Sequence, residues 1–324
     1  MQTFQLECRS PEFFGAVAPN RLDCHAMPRA EIARPVAIAS LALSVAWGSA
    51  SAAPQSAPEL GTLMKEIGQR VAGYYRRAQH LICIEQSTVQ PVASNWSPEG
   101  LSRTVESELR VEFEAADGDS LPDAKVIRDV RRINGRLPRE RDKKDRSGCT
   151  DPNPLSPEPL SFLLPAHREE YQFTSVRDAS EKNRPVLVIE FTTIDRKSRP
   201  ELIEEGVHDA CFDWRGPVAT RGRLWVDRDT YEVLRLDRGL HGPVDVRVPW
   251  SLQRRYDFGS WVVLERDDLS LRYKAVAFND PDEVMMLPAS IDSMTVLRSA
   301  LQSIRRTETF SDYRRFLTSG RIVK

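Results

Sequence analysis

From about residue 81 onward the chain repeats with a period of two, and that spacing limits its fold more than any other feature. In "TVESELRVEF" (104–113), Val105, Leu109, Val111 and Phe113 alternate with Thr104, Glu106, Glu108, Arg110 and Glu112. Successive strand side chains point to opposite faces, so this segment has one wet face and one buried face, as in an antiparallel sheet. "AKVIRDVRRINGRLP" (124–138) continues the pattern and holds the turn signal Asn134-Gly135. "VLVIEFTTI" (186–194) is richer in β-branched residues and reads as a more central strand.

Further strands are expected in "GRLWVDRDTYEVLRLD" (222–237), "WVVLE" (261–265), "LSLRYKAVAF" (269–278) and "VMMLPASIDSMTVL" (284–297). In the first of these, Leu224 and Val226 share one face, Leu234 and Leu236 share another, and residues 227–230 turn between them. About nine or ten strands result. Parallel sheets need helical crossovers, which are missing, so the sheet is antiparallel.

Helical spacing comes before the strands. "PELGTLMKEIGQRVAGYYRRAQ" places Leu60, Leu63, Met64, Ile67, Val71, Tyr74, Tyr75 and Ala78 on one stripe, which must lie on something apolar. Residues 136–165 form a charged loop, then a Pro-rich one, ending in the apolar cluster Leu160, Phe162, Leu163 and Leu164. Ser156 before Pro157 reads as an N-cap and first-turn pair, predicting a short helix over 157–164. Phe310, Tyr313 and Phe316 in "RRTETFSDYRRF" have helical spacing and predict a final docked turn.

The first fifty residues concern address rather than fold. No charge occurs between Arg34 and Glu59, and "PVAIASLALSVAW" (35–47) suits the apolar core of an export signal. Arg29 and Arg34 precede it, and Ala50 and Ala52 form the small-residue cleavage pattern. Cleavage after Ala52 is expected, with Met27 a more conventional start than Met1. A membrane span would need about 20 apolar residues, more than this run supplies. The chain is then a leader (1–52) followed by one domain (53–324), periplasmic or secreted.

The whole chain carries 46 basic and 47 acidic residues. That balance gives no case for nucleic acid as a partner. Cys83, Cys149 and Cys211 lie beyond the leader. An oxidising compartment permits a disulfide, expected between Cys149 and Cys211 in their turn-rich surroundings, with Cys83 left in the apolar "HLICIEQ"; three free thiols are the alternative.

Catalytic and metal motifs are not found. There is no H-E-x-x-H, C-x-x-C, G-x-S-x-G or phosphate-binding glycine loop, so neither an enzyme nor a cofactor is expected. "ELIEEGVHDACFDW" (201–214) gathers Glu204, Glu205, His208, Asp209 and Cys211, but Gly206 interrupts any shared helical face, and a solvated loop is the better reading. The charged stretch 128–146 is internally balanced and reads as a solvated loop rather than a phosphate-binding patch.

The export signal, amphipathic first helix, run of antiparallel strands and apolar loop cluster together resemble the LolA-like superfamily. "PLSPEPLSFLLPAHREEYQFT", "GRLWVDRDTYEVLRLD", "MMLPASIDSM" and "FSDYRRF" look like phrases of exported proteins of acidobacterial type. The resemblance implies an α+β fold in which a strongly curved antiparallel sheet, an unclosed barrel, is covered by helices. It also implies that the space between them can hold a lipid or a lipoprotein's acyl chain. Leu160, Phe162, Leu163 and Leu164 are then the expected ligand-binding set, as a lid or as a permanent plug. The alternative is an envelope protein-interaction or sensory module with no cavity.

Overall fold

The apolar stripe of the first segment forms helix α1 (Leu60–Arg77) in a computed structural model of the protein, burying Leu63, Met64, Ile67, Val71 and Tyr75. The structure describes residues 59–78, 81–93, 95–113, 124–139, 159–194, 199–204, 211–279, 282–298 and 302–315. The leader, the expected cleavage site, Cys149 and the Ser156–Pro157 pair lie outside the described residues. Arg76 and Arg77 in the last turn of α1 complement its exposed carbonyls, and Arg315 Nη2 donates to the Arg77 carbonyl at 2.9 Å.

Thirteen strands follow among the described residues. The first three are β1 (Leu81–Pro91), β2 (Arg103–Phe113) and β3 (Ala124–Ile133). The next elements among the described residues are a 3₁₀ turn (Ser161–Leu163) and the short helix α2 (Pro165–Arg168). Then come β4 (Tyr171–Glu181), β5 (Arg184–Thr193), β6 (Glu201–Glu204), β7 (Phe212–Arg215), β8 (Thr220–Asp227), β9 (Val233–Leu240) and β10 (Val244–Arg247). Helix α3 (Trp250–Tyr256) precedes β11 (Trp261–Asn279), β12 (Asp282–Leu297) and β13 (Gln302–Arg315).

The main path of the sheet runs β3-β2-β1-β13-β12-β11-β9-β8-β5-β4, with β10, β6 and β7 branching from the start of β11. All neighbours on that path are antiparallel; β10 and β6 meet in parallel at the single pair Arg247↔Glu201. Strands β3 and β4 are the two ends, so the sheet does not close into a barrel.

Ten strands laid flat would span about 45 Å, against a helix about 10 Å wide. Yet inward residues of β1, β2, β5, β8, β9, β11, β12 and β13 share one core cluster with α1. Only a sheet curled around the helix can bring these rows together. A second cluster, including Leu202, Phe212, Val246, Leu252, Val262 and Leu264, lies under β6, β7, β10 and α3.

Four expectations need correction. Of the expected 157–164 helix, residues 157 and 158 lie outside the described residues and Ser161–Leu163 form the 3₁₀ turn, which ends because Leu164 precedes Pro165 and takes an extended conformation (φ −70°, ψ 150°) that separates the turn from α2. Residues 310–315 belong to strand β13 instead of a helical turn, and Phe316 lies outside the described residues. A register shift opposite Ile82 and Ile84 adds one residue to β13, with Asp312 at φ 51°. That bulge turns both Phe310 and Tyr313 inward and imitates helical spacing. Segments 261–265 and 269–278 are one continuous strand, β11. In the 222–237 hairpin, a shift between Trp225 and Val226 makes Val233 and Leu236 the buried pair in β9, in place of Leu234 and Leu236.

Other local readings match the structure. Asn134 and Gly135 both adopt positive φ, the mirror-image turn that suits a hairpin. Asp227 Oδ1 accepts the backbone N–H groups of Asp229 (2.9 Å) and Thr230 (2.7 Å), closing the expected polar turn.

Gly222 marks the tightest approach within the sheet. A Cβ there would lie 2.3 Å from the Asp237 carbonyl oxygen and 2.5 Å from the Phe191 ring. Gly222→Ala is expected to cost about 1–3 kcal/mol through overpacking, read as a lower urea midpoint with unchanged slope.

Candidate functional site

The candidate site is the space enclosed by α1, the turn at 160–164 and the inner face of the sheet. The structure brings all four sequence-predicted residues together there: Leu160, Phe162, Leu163 and Leu164 are buried, with Leu163 fully so. The Phe162 ring lies 4.8 Å from Phe191, 5.1 Å from Tyr171 and 6.4 Å from Phe173, an aromatic cluster on β4 and β5. Such offset pairs add to the burial term.

Leu163 meets α1 at Gly68, where a Cβ would come within 3.0 Å of the Leu163 carbonyl oxygen. A side chain at 68 would require the turn to give by a few tenths of an ångström. The backbone bonds of the turn are local: Leu163 N–H to the Leu160 carbonyl and Leu164 N–H to the Ser161 carbonyl, both 3.0 Å. The turn is therefore seated mainly by apolar contact.

A slot beside it, between α1 and β9, β11 and β12, measures about 20 Å³, room for about one water. Its walls include Val71, Tyr74, Leu160, Val233, Tyr273 and Met286, with Arg70, Arg77 and Glu232 also lining it. Tyr74 packs edge-on to Tyr273 at 6.5 Å between ring centres. Burial pushes the Tyr273 hydroxyl well above the usual phenol range, so it remains protonated.

Farther along β1, β2 and β13 the same inner face becomes polar. Glu85, Ser87, Ser107 and Glu308 are all buried, and Ser107 faces Glu85 across one pair while Ser87 faces Glu308 across another. Arg128 on β3 answers Glu85 with two bonds, Nη2 to Oε1 at 2.7 Å and Nε to Oε2. Burial first, and then the Glu85 charge, push the Glu308 carboxyl up to about 7 against the opposing pull of Arg306 and Arg128. The sequence holds a signal for this patch: Glu85 and Ser87 fall in phase with Leu81, Cys83 and Val89, so the alternation puts them inside.

On the outer face lies a groove of about 1180 Å³, lined by Trp96, Arg223, Asp237, Asp268, Asp292 and Arg305 among others. Its charges are cross-linked: Arg223 to Glu190 at 3.1 Å and Arg305 to Asp292 at 2.8 Å. Arg266 stacks 4.0 Å over Trp96. This is an ion-paired solvent face of the kind a one-sided antiparallel sheet presents.

Cys83 is a free, buried thiol, pushed up to about 12 mainly by burial. Cys211 is buried and disulfide-bonded. The 201–214 cluster is not assembled as one helix: Glu204 ends β6 and accepts bonds from Arg255 (2.9 Å) and from the Tyr256 hydroxyl, while residues 205–210 lie outside the described set. Among the described residues no three His, Cys, Asp or Glu side chains are placed to hold a metal. Among them also, no helix is long and apolar enough to cross a membrane.

No family model matches the chain, and no curated protein matches it. Solved structures with some likeness include a LolA superfamily protein from Nitrosomonas europaea, at 13% identity and a TM-score of 0.31, covering 81% of this chain and 97% of that one. A DUF1329 family protein from Desulfovibrio piger is 8% identical with a TM-score of 0.35, covering 79% of this chain and 93% of that one. MucB in complex with MucA(peri) is 10% identical with a TM-score of 0.21, covering 78% and 99%. Likenesses this distant carry no weight for function; the chain's own residues do.

Glu308 yields a pH test. Its ordinary value is 4.5 and its folded value about 7, so the folded chain binds this proton more tightly. The stability it contributes is complete below pH 4.5 and is lost as pH rises through 7. Glu308→Gln should flatten that slope and stabilise the protein at pH 8 by on the order of 3 kcal/mol, read from urea unfolding at pH 5 and pH 8.

Proposed function

We propose that the protein is an exported, periplasmic binder of a hydrophobic ligand, a lipid or the acyl chain of a lipoprotein, and that the structure represents its closed form. On this reading the signal peptide is cleaved after Ala52 and residues 53–324 act as one domain. One observation supports it above the rest: a loop turn, held mainly by apolar contact, fills the space between α1 and the curved sheet with Leu160, Phe162, Leu163 and Leu164. An acyl chain entering there would exchange one set of apolar contacts for another, so the net cost of opening is offset by burial of the ligand's own surface. The ligand would be held by shape and burial, with no reaction carried out on it.

A protein-interaction module is the second reading, favoured by the outer groove and the half-exposed Trp96 at its rim. The two readings differ in what the interior does. Protein exported to a periplasm and purified without detergent is expected to yield a stoichiometric lipid on solvent extraction and mass spectrometry, with an unrelated exported protein as control. A clean extract favours the interaction module. Leu163→Ala should lower stability by about 2–5 kcal/mol, and a bound fatty acid should restore part of the loss by mass action. Loss of stability with no rescue by any hydrophobic ligand would overturn the binder reading.

We also propose that Cys149 is the partner of Cys211. The long loop so closed would be worth roughly 4 kcal/mol in the chain-entropy account. Peptide mapping without reductant should recover the two cysteines in one linked species, while Cys83 reacts with a thiol reagent only after denaturation.

A further inference from the structure

Among the described residues, strands β1, β2 and β3 join the rest of the sheet through one ladder, that between β1 and β13. Elsewhere the inner side of such a ladder is apolar: Leu224 lies opposite Leu236 across β8 and β9, and Leu236 opposite Leu271 across β9 and β11. Between β1 and β13 it turns polar. Ser87 lies opposite Glu308, and Glu85, opposite Phe310, is the diagonal neighbour of Glu308 across the same ladder. Both glutamates are 1% exposed.

The two carboxyl groups are not served alike. Arg128 reaches over from β3 and gives both of its bonds to Glu85, Nη2 to Oε1 at 2.7 Å and Nε to Oε2. Glu308 Oε1 has no hydrogen-bond partner among the described residues, and neither has Ser107 Oγ, which faces Glu85 from β2. Ile291, opposite Glu308 on β12, is apolar, and Arg306 stands two residues earlier on β13. A second negative charge buried beside Glu85 is costly, because desolvation and repulsion act in the same direction. Burial and the Glu85 charge accordingly lift the Glu308 carboxyl from 4.5 to about 7, with Arg306, Arg128 and Ser87 pulling the other way.

We infer that the β1–β13 ladder is a proton-locked seam: protonated Glu308 lets it close, and loss of that proton opens it, releasing β1, β2 and β3 together from the body of the sheet. Helix α1 stays with the body, since Arg315 near the end of β13 holds the Arg77 carbonyl at 2.9 Å and Tyr74 packs against Tyr273 of β11. The opening is local, short of global unfolding, and it is independent of what the interior binds.

The test is hydrogen exchange of the full chain, followed by mass spectrometry from pH 5 to pH 8.5 and corrected for the intrinsic pH dependence of amide exchange. In the open seam Glu308 meets water and regains its ordinary value of 4.5, so opening becomes easier as pH rises from 4.5 to 7 and levels off above that. Peptides from β1 and β13 should therefore open on the order of fiftyfold more often at pH 8 than at pH 5. Peptides from β8 and β9 should keep their protection throughout. Glu308→Gln should hold the seam closed at pH 8 and abolish the dependence.

Loss of protection in β8 and β9 in parallel with β1 and β13 would mean global unfolding and overturn the seam. Exchange in β1 and β13 that stays flat with pH would overturn it as well, and so would a pH dependence that survives Glu308→Gln. If that variant does not fold, the comparison of the two ladders in the unaltered protein still decides.

Discussion

The structure depends on one constraint: among the described residues, a single helix and a short turn cover the inner face of a ten-strand sheet. The inner rows are apolar enough to demand cover, and α1 is too narrow to cover a flat sheet. Curling the strands around the helix solves most of the problem, and the turn at 160–164 fills the remainder. Gly68 sets how closely turn and helix approach, and Arg315 ties the end of β13 to the last carbonyl of α1. Arg315 also pairs with Glu283 at the start of β12, so the last strand, the long hairpin and the helix end meet at one side chain.

The interior so formed is not uniform. Near α1 it is lined by leucine, isoleucine and aromatic side chains; along the middle of β1, β2 and β13 it holds Glu85, Arg128, Ser87, Ser107 and Glu308. Burying an ion pair such as Glu85–Arg128 is weak evidence for stability, because desolvation offsets much of the attraction. Its effect on recognition is more direct. An acyl chain cannot lie against charged groups at low cost, so this patch would limit how far an apolar guest extends along the sheet.

Much of this architecture can be read from short stretches of sequence. The alternation in β2, the stripe in α1, the Asn134-Gly135 turn and the Asp227 turn are local signals, and local physics decides them. The misread places are those where an irregularity shifts the phase. The bulge at Asp312 gave Phe310 and Tyr313 a helical spacing inside a strand, and the shift at Trp225 exchanged Leu234 for Val233. Asp267 and Asp268, between the two expected strands 261–265 and 269–278, sit within β11, past a bulge that lets the strand continue. For the candidate site, the sequence indicated residues 160–164 but not their neighbours. Gly68, Tyr273 and Arg70 become associated only when elements distant in sequence are folded against one another.

The order of the strands has a kinetic consequence. Strand β1 is joined to the body of the sheet by β13, the last strand, and the bond from Arg315 to the Arg77 carbonyl links residues 238 positions apart. The hairpin of β11 and β12 can close early, since its partners are neighbours in the chain, but β1, β2 and β3 have no sheet to join until β13 is in place. Contacts of such separation carry a large loop-closure cost and slow the search for the native state. A chain emerging from its amino end would therefore hold an amphipathic helix and three strands without a dock until β13 arrived.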